Sequence, residues 1–340
     1  MNVLCISIDG LHCGMIGAFG NTWIQTPAID SLAAESVLFD RYYTNTLDLS
    51  AVFGTFSNSR EQFVKENTRS FLITDDTDVY LHHYSDGFDE KHCLERQFPN
   101  SAGNKPVTLL EETQFCKAFA AATDILDRFN PDTETFFLHL HLEGFRSPWD
   151  FPLSYRLKHQ ADEDPMPYPD TAVPDFIDAD PDTLQSVMEA YSGGMSVLDE
   201  ALSGLLEYAA DLDDTAVVFF SVRGFSLGEH GKIGANEDIY GENIQLPLMI
   251  RYPQNTNAGC RSQTLLLPQD VLPLLNTAEI PEEPDAVHTS LHIGNAAVTA
   301  DWFYAPPELY VKPDDRWEVN DVADRCRHIA ARFQDGSLVD

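Results

Sequence analysis

The sequence predicts a layered α/β protein, on three observations. Short apolar runs alternate along the chain with amphipathic stretches. Hydrophobic residues make up 43% and aromatics 11%, enough for a sizeable core. The 340 residues have room for one large domain, or a large domain with a small appendage.

The elements follow in order. Val3 to Ile8 is the first strand. A helix begins at Pro27 and continues to Glu35, with Thr26 as its cap and Pro27 at the first position, where a missing N–H does no harm. Phe71 to Thr74 is a second strand. A helix over Val107 to Phe129 is ended by Asn130-Pro131. Phe136 to Leu142 is a strand whose alternation sets Leu138, Leu140 and Leu142 on one face and His139 and His141 on the other, at a helix–sheet boundary. The Pro- and Asp-rich stretch from His159 to Asp182 reads as a loop.

A long helix spans Pro181 to Ala210, with Val187, Tyr191, Leu198, Leu202 and Leu205 at helical spacing. Gly193-Gly194 inside it costs about 1 kcal/mol per glycine, which close packing against a neighbour would explain. Thr215 to Val222 and Leu248 to Tyr252 are further strands. Beyond Asn255 come short strands and a final helix over Val322 to Phe333. The expected division is a core domain of residues 1–254 and a small C-terminal α+β subdomain of residues 255–340.

The formal charge is -34, from 55 acidic and 21 basic residues. Such a surface repels nucleic acid and anionic membranes, so neither is expected as a partner. No apolar run approaches the ~20 residues that span a bilayer. Cys5, Cys13, Cys93, Cys116, Cys260 and Cys326 are scattered and form no Cys-x-x-Cys pair, which suits free thiols in a reducing compartment. Met1-Asn2 leads straight into the first strand without a secretory pattern, so the expected location is the cytoplasm.

Ligands of open α/β sheets bind beyond the carboxyl ends of the strands. Four positions therefore matter: Asp9-Gly10, Asp75-Asp76, Glu143 to Arg146, and Val222 to Gly224. Weaker candidates are His82-His83 and His139-x-His141, which lack neighbouring carboxylates for a metal site. Asp75-Asp76-x-Asp78 reads as a solvated turn.

A set of ordered blocks resembles the sulfatase family. The opening Asn2-Val3-Leu4-Cys5-Ile6-Ser7-Ile8-Asp9-Gly10 is followed by Thr26-Pro27-Ala28-Ile29-Asp30-Ser31-Leu32-Ala33 and Phe39-Asp40-Arg41-Tyr42-Tyr43. Later come Leu227-Gly228-Glu229-His230-Gly231, Glu242-Asn243-Ile244-Gln245-Leu246-Pro247 and Glu318-Val319-Asn320-Asp321-Val322. The resemblance implies an alkaline-phosphatase-like mixed sheet between helical layers with a small C-terminal subdomain. It also implies hydrolysis of sulfate esters by a formylglycine made from Cys or Ser, a divalent cation, usually calcium, and Lys, Arg and His residues that hold the sulfate.

The positions carrying that chemistry have changed. The family's paired acids after the first strand become Asp9-Gly10, and its later metal pair becomes Val222-Arg223. Calcium takes six or more oxygen ligands, so the one surviving carboxylate, Asp9, is a vestigial metal position. The nucleophile falls on Leu49 or, one residue on, on Ser50, without the Pro and Arg of the family motif. A sulfate-holding His falls on Arg146 and a later Lys on Ala235.

The expectation is a sulfatase-like protein without effective catalysis. Arg223 stands in for the dication and pairs with Asp9, since a guanidinium fork suits a carboxylate. Arg146 offers an anion a second guanidinium. No cofactor is expected, and the partner is a small anion or a protein. The alternative is a working hydrolase of sulfate or phosphate esters, using Ser50, His230 and calcium.

Overall fold

In the computed structural model, the structure describes residues 1–60, 67–96, 105–129, 134–212, 214–276 and 287–336. Eight strands form the main sheet: β1 (Asn2–Ile8), β2 (Val37–Phe39), β3 (Thr68–Thr74), β4 (Glu90–Cys93), β5 (Thr135–Leu142), β6 (Thr215–Ser221), β7 (Leu248–Arg251) and β8 (Arg261–Ser262). Their spatial order is β8-β2-β7-β6-β1-β5-β3-β4. β6, β1, β5, β3 and β4 run parallel, while β7 is antiparallel to β6 and β2. The sheet is therefore mixed, with a parallel centre buried on both faces.

Strand alternation sorts the core into two layers. Leu4, Ile6 and Ile8 of β1 pack with Leu138, Leu140 and Leu142 against α1 (Pro27–Ala34), α4 (Gln114–Leu126) and α5 (Pro181–Ala210). Val3 and Cys5 face the other side, against Val52, Phe53 and Phe56 of α2 (Leu49–Arg60). A short helix, α3 (Thr77–Leu81), follows β3 and is capped by the Asp76 carboxylate, which accepts from the N–H groups of Asp78 and Val79.

The glycine pair of α5 has the expected cause. A Cβ on Gly193 would lie 2.6 Å from the Arg156 backbone, and one on Gly194 would lie 2.4 Å from the Phe151 ring. Two other expectations change. Thr26 does not cap α1: its hydroxyl hydrogen-bonds Asp30, and the Asp199 carboxylate of α5 instead accepts from the N–H groups of Ala28 and Ile29. The helix expected from Val107 begins only at Gln114, because Thr113 caps it there and the Val107 N–H is already committed to the Asp150 carbonyl. Asn130-Pro131 lie outside the described residues.

A separate antiparallel sheet holds β9 (Ser290–Ile293), β10 (Ala296–Thr299), β11 (Trp302–Ala305) and β12 (Glu308–Val311). A last helix, α6 (Arg327–Gln334), stacks Phe333 on Tyr304. β8 extends the main sheet past residue 254, so the expected 254/255 division does not coincide with its edge. No described helix is long and apolar enough to cross a membrane.

Candidate active-site cleft

Register brings the candidate positions to one edge of the sheet. Ile8 pairs with both Leu142 and Ser221, and Thr74 pairs with His141. Asp9, Glu143, Val222 and Asp75 are thus each the next residue after a central parallel strand. Glu143 lines a cleft of about 970 Å³ whose lining also includes Leu49, Ser50, Arg146, Arg223 and Ala235, while Asp9, Asp75 and Val222 are buried beside it. The positions that the resemblance singled out, far apart in sequence, converge here.

At the base of the cleft, Asp9 is fully buried and Arg223 grips it. Arg223 Nε donates to Oδ1 at 3.2 Å and to Oδ2 at 3.1 Å, Nη2 also donates to Oδ2, and Nη1 donates to the Leu47 carbonyl at 3.2 Å. Arg146 Nε lies 3.7 Å from Asp9 Oδ1 and donates to the Gly224 carbonyl, while Nη2 donates to the Asn236 carbonyl. Burial pulls Arg223 toward a lower pKa, but the Asp9 carboxylate outweighs it and leaves the pKa raised. Burial lowers that of Arg146 to about 10, which still leaves it charged at neutral pH.

Gly10 and Arg146 form one steric unit. Gly10 has φ +73, and a Cβ there would lie 3.0 Å from Arg146 Cγ. Gly144, at φ +53, lets the turn carrying Arg146 approach the Asp9 carbonyl, where a Cβ would come within 2.6 Å. A second acid at position 10 and the Arg146 stem cannot share this space without rearrangement.

These residues do not suit a divalent cation. A hard dication needs several oxygen donors, and both oxygens of Asp9 already accept guanidinium N–H groups.

Ser50 lies in the first turn of α2, its N–H donating to Asp48 Oδ1 at 3.0 Å. His230 does not line the cleft. It sits at φ +50, its ring stacks on Tyr240 at 3.7 Å, and its Nδ1 is 3.1 Å from Glu242 Oε1. The structure thus gathers Asp9, Arg146, Arg223 and Ser50 and leaves His230 aside.

Two arrangements escaped the sequence reading. Arg96 pairs with Glu143 and donates to the Asp75 carbonyl, while the Glu143 N–H donates to Asp75 Oδ1 at 2.9 Å. Burial raises Asp75 to about 6 and Glu143 to about 7. On the α2 side of the sheet, a chain of contacts runs from Tyr84 OH to His139 Nδ1 (2.6 Å), from His139 Nε2 to Ser7 Oγ (2.9 Å), and from Ser7 Oγ to His141 Nδ1 (2.9 Å). Both histidines are fully buried, which holds His139 well below its usual pKa and His141 at about 4. The alternation of β5 placed them on one face. Nothing in the sequence placed Ser7 between them, because that depends on strand register.

A mixed sheet with a ligand-sized cleft at its parallel strand ends, and a small antiparallel sheet after it, defines an alkaline-phosphatase-like hydrolase fold. Residues 1–275 match the family model described as Sulfatase, and the chain belongs to that family. An N-acetylglucosamine-6-O-sulfatase of Bacteroides thetaiotaomicron is 32% identical over 162 residues, 46% of this chain and 28% of that relative's length. The phosphonate monoester hydrolase of Agrobacterium radiobacter superposes with a TM-score of 0.74 at 16% identity, covering 99% of this chain and 94% of that one. A protein solved in complex with its substrate D-glucosamine-2-N,6-O-disulfate gives the same score and identity, with 99% and 96% covered. The phosphonate monoester hydrolase of Silicibacter pomeroyi gives 0.68 at 17% identity, with 99% and 94% covered.

Proposed function

We propose that this chain is a catalytically degenerate sulfatase-family protein that binds a ligand in the inherited cleft without turning it over. The observation that carries this reading is the double contact of Arg223 with Asp9. A guanidinium supplies the compensating charge for the buried Asp9 side chain at this floor, in place of a metal. Leu49 and Ser50 supply no activated nucleophile, since neither a formylglycine motif nor the candidate base His230 stands at the cleft. Arg146 carries the anion-binding role: its Nη1 has no hydrogen-bond acceptor among the described residues. The chain acts with no cofactor, through a small anion or a protein partner. Six free thiols favour the cytoplasm.

The test is turnover of aryl sulfate and aryl phosphate esters by the intact chain, with and without calcium, alongside a calcium titration of its thermal unfolding. The expected result is no turnover above buffer and no shift of Tm with calcium. Turnover that depends on calcium and disappears in Asp9→Ala would establish the working hydrolase instead.

A further inference from the structure

We infer that the cleft takes a zwitterion, a small molecule carrying an ammonium group and one acidic group a few atoms apart. This deepens the binding role proposed above and rests on it. The carrying observation is the uneven distribution of charge around the cleft.

The floor holds two guanidiniums, Arg146 and Arg223, against one carboxylate, Asp9. That leaves a formal +1. The walls carry the carboxylates of Asp48, Asp76, Asp78, Glu143 and Glu237. Only Glu143 of these five has a guanidinium in ion-pair contact among the described residues, that of Arg96. Among the described residues no lysine lines the cleft. A free sulfate or a polyanionic glycan would meet one incompletely engaged guanidinium and a surrounding field of the wrong sign. A simple amine would meet carboxylates but leave Arg146 unanswered. A ligand carrying both charges satisfies both surfaces.

A second observation, independent of the charge count, places the ammonium. Asp76 Oδ1 caps α3, whereas Asp76 Oδ2 faces His141 Nε2 across 4.0 Å. That separation is too long for a hydrogen bond. His141 Nε2 is wholly buried and has no partner among the described residues. Asp76, which lines the cleft, thus keeps one carboxylate oxygen, Oδ2, without a hydrogen-bond donor among the described residues. Arg146 and Asp76 line the same cleft. A ligand in this cleft can meet Arg146 with its acidic group and Asp76 with its ammonium. Phe53, Val79 and Ile293 give the carbon skeleton an apolar surface.

The experiment is isothermal titration of the full chain with four probes at low salt: inorganic sulfate, putrescine, 2-hydroxyethyl sulfate and 2-aminoethyl hydrogen sulfate. The inference expects the last to bind at least tenfold tighter than each of the others. Asp76→Asn, which keeps the capping oxygen of α3, should weaken that binding at least fivefold and leave 2-hydroxyethyl sulfate unchanged. Arg146→Gln should erase the advantage over putrescine. Asp78→Asn, on an exposed side chain, serves as a second wall variant should Asp76→Asn not fold. Equal binding of 2-hydroxyethyl sulfate and 2-aminoethyl hydrogen sulfate, tighter binding of inorganic sulfate, or no binding of any probe overturns the inference. Sulfate release is followed in the same samples. Its appearance would sink the degenerate reading separately, whatever the order of affinities.

Discussion

The long helix α5 and the floor of the cleft are two buried regions of the same protein, and they respond differently to changes in sequence. On α5, Gly193 and Gly194 are held by sterics: the backbone of Arg156 and the ring of Phe151 occupy the space a side chain would need. Any ligand or reaction is irrelevant to that requirement. At the floor, the backbone frame is equally specific, with strand ends in register and Gly10 and Gly144 at positive φ. Yet the charges set on that frame are two guanidiniums around one carboxylate. Fold depends on volume and backbone approach, and these can persist while the chemistry of a site is exchanged.

The largest expected effect breaks the floor. Asp9→Ala leaves Arg223 and Arg146 facing each other with their shared carboxylate gone, and should destabilise the chain by about 3–5 kcal/mol. Urea unfolding measures it. Asp9→Leu combined with Arg223→Met removes both charges and should cost much less than Asp9→Ala alone. If the double variant is as unstable as the single one, the floor is held by shape rather than by charge.

Next comes the helix. Gly194→Ala forces a methyl group against the Phe151 ring and should cost about 1–3 kcal/mol by overpacking. Adding Phe151→Leu should recover part of that loss, as a steric conflict requires. Gly10→Asp is the corresponding test at the floor. It meets both positive φ and the Arg146 stem, so it should destabilise on its own and be tolerated better beside Arg146→Ala.

Much of this contrast was legible in the residues. The span of α5 and the reason for its glycine pair followed from periodicity and from the need to offset two poor helix formers. The meeting of Asp9 with Arg223 followed from aligned motifs at two strand ends. What was not legible depended on register or on distant partners. Asp199 caps α1 across 170 and 171 positions of sequence, so Thr26 was the natural but mistaken choice. Arg96 reaches Glu143 from a segment with no motif. His230 sat in a recognisable block, but its ring turns toward Tyr240 and Glu242.

The smallest effect concerns protons at the cleft wall. Glu143 is raised to about 7 by burial, against the pull of Arg96. A carboxyl whose folded pKa exceeds its unfolded value of about 4.3 favours the folded state while protonated. Its contribution is fully present below that unfolded value and declines as pH rises through about 7. Between those limits the native chain should lose stability with increasing pH, and Glu143→Gln should flatten that slope. The difference appears in urea midpoints taken across this range. An unchanged slope would mean that Arg96 keeps Glu143 ionised throughout, and the wall would then carry its full negative charge even in mild acid.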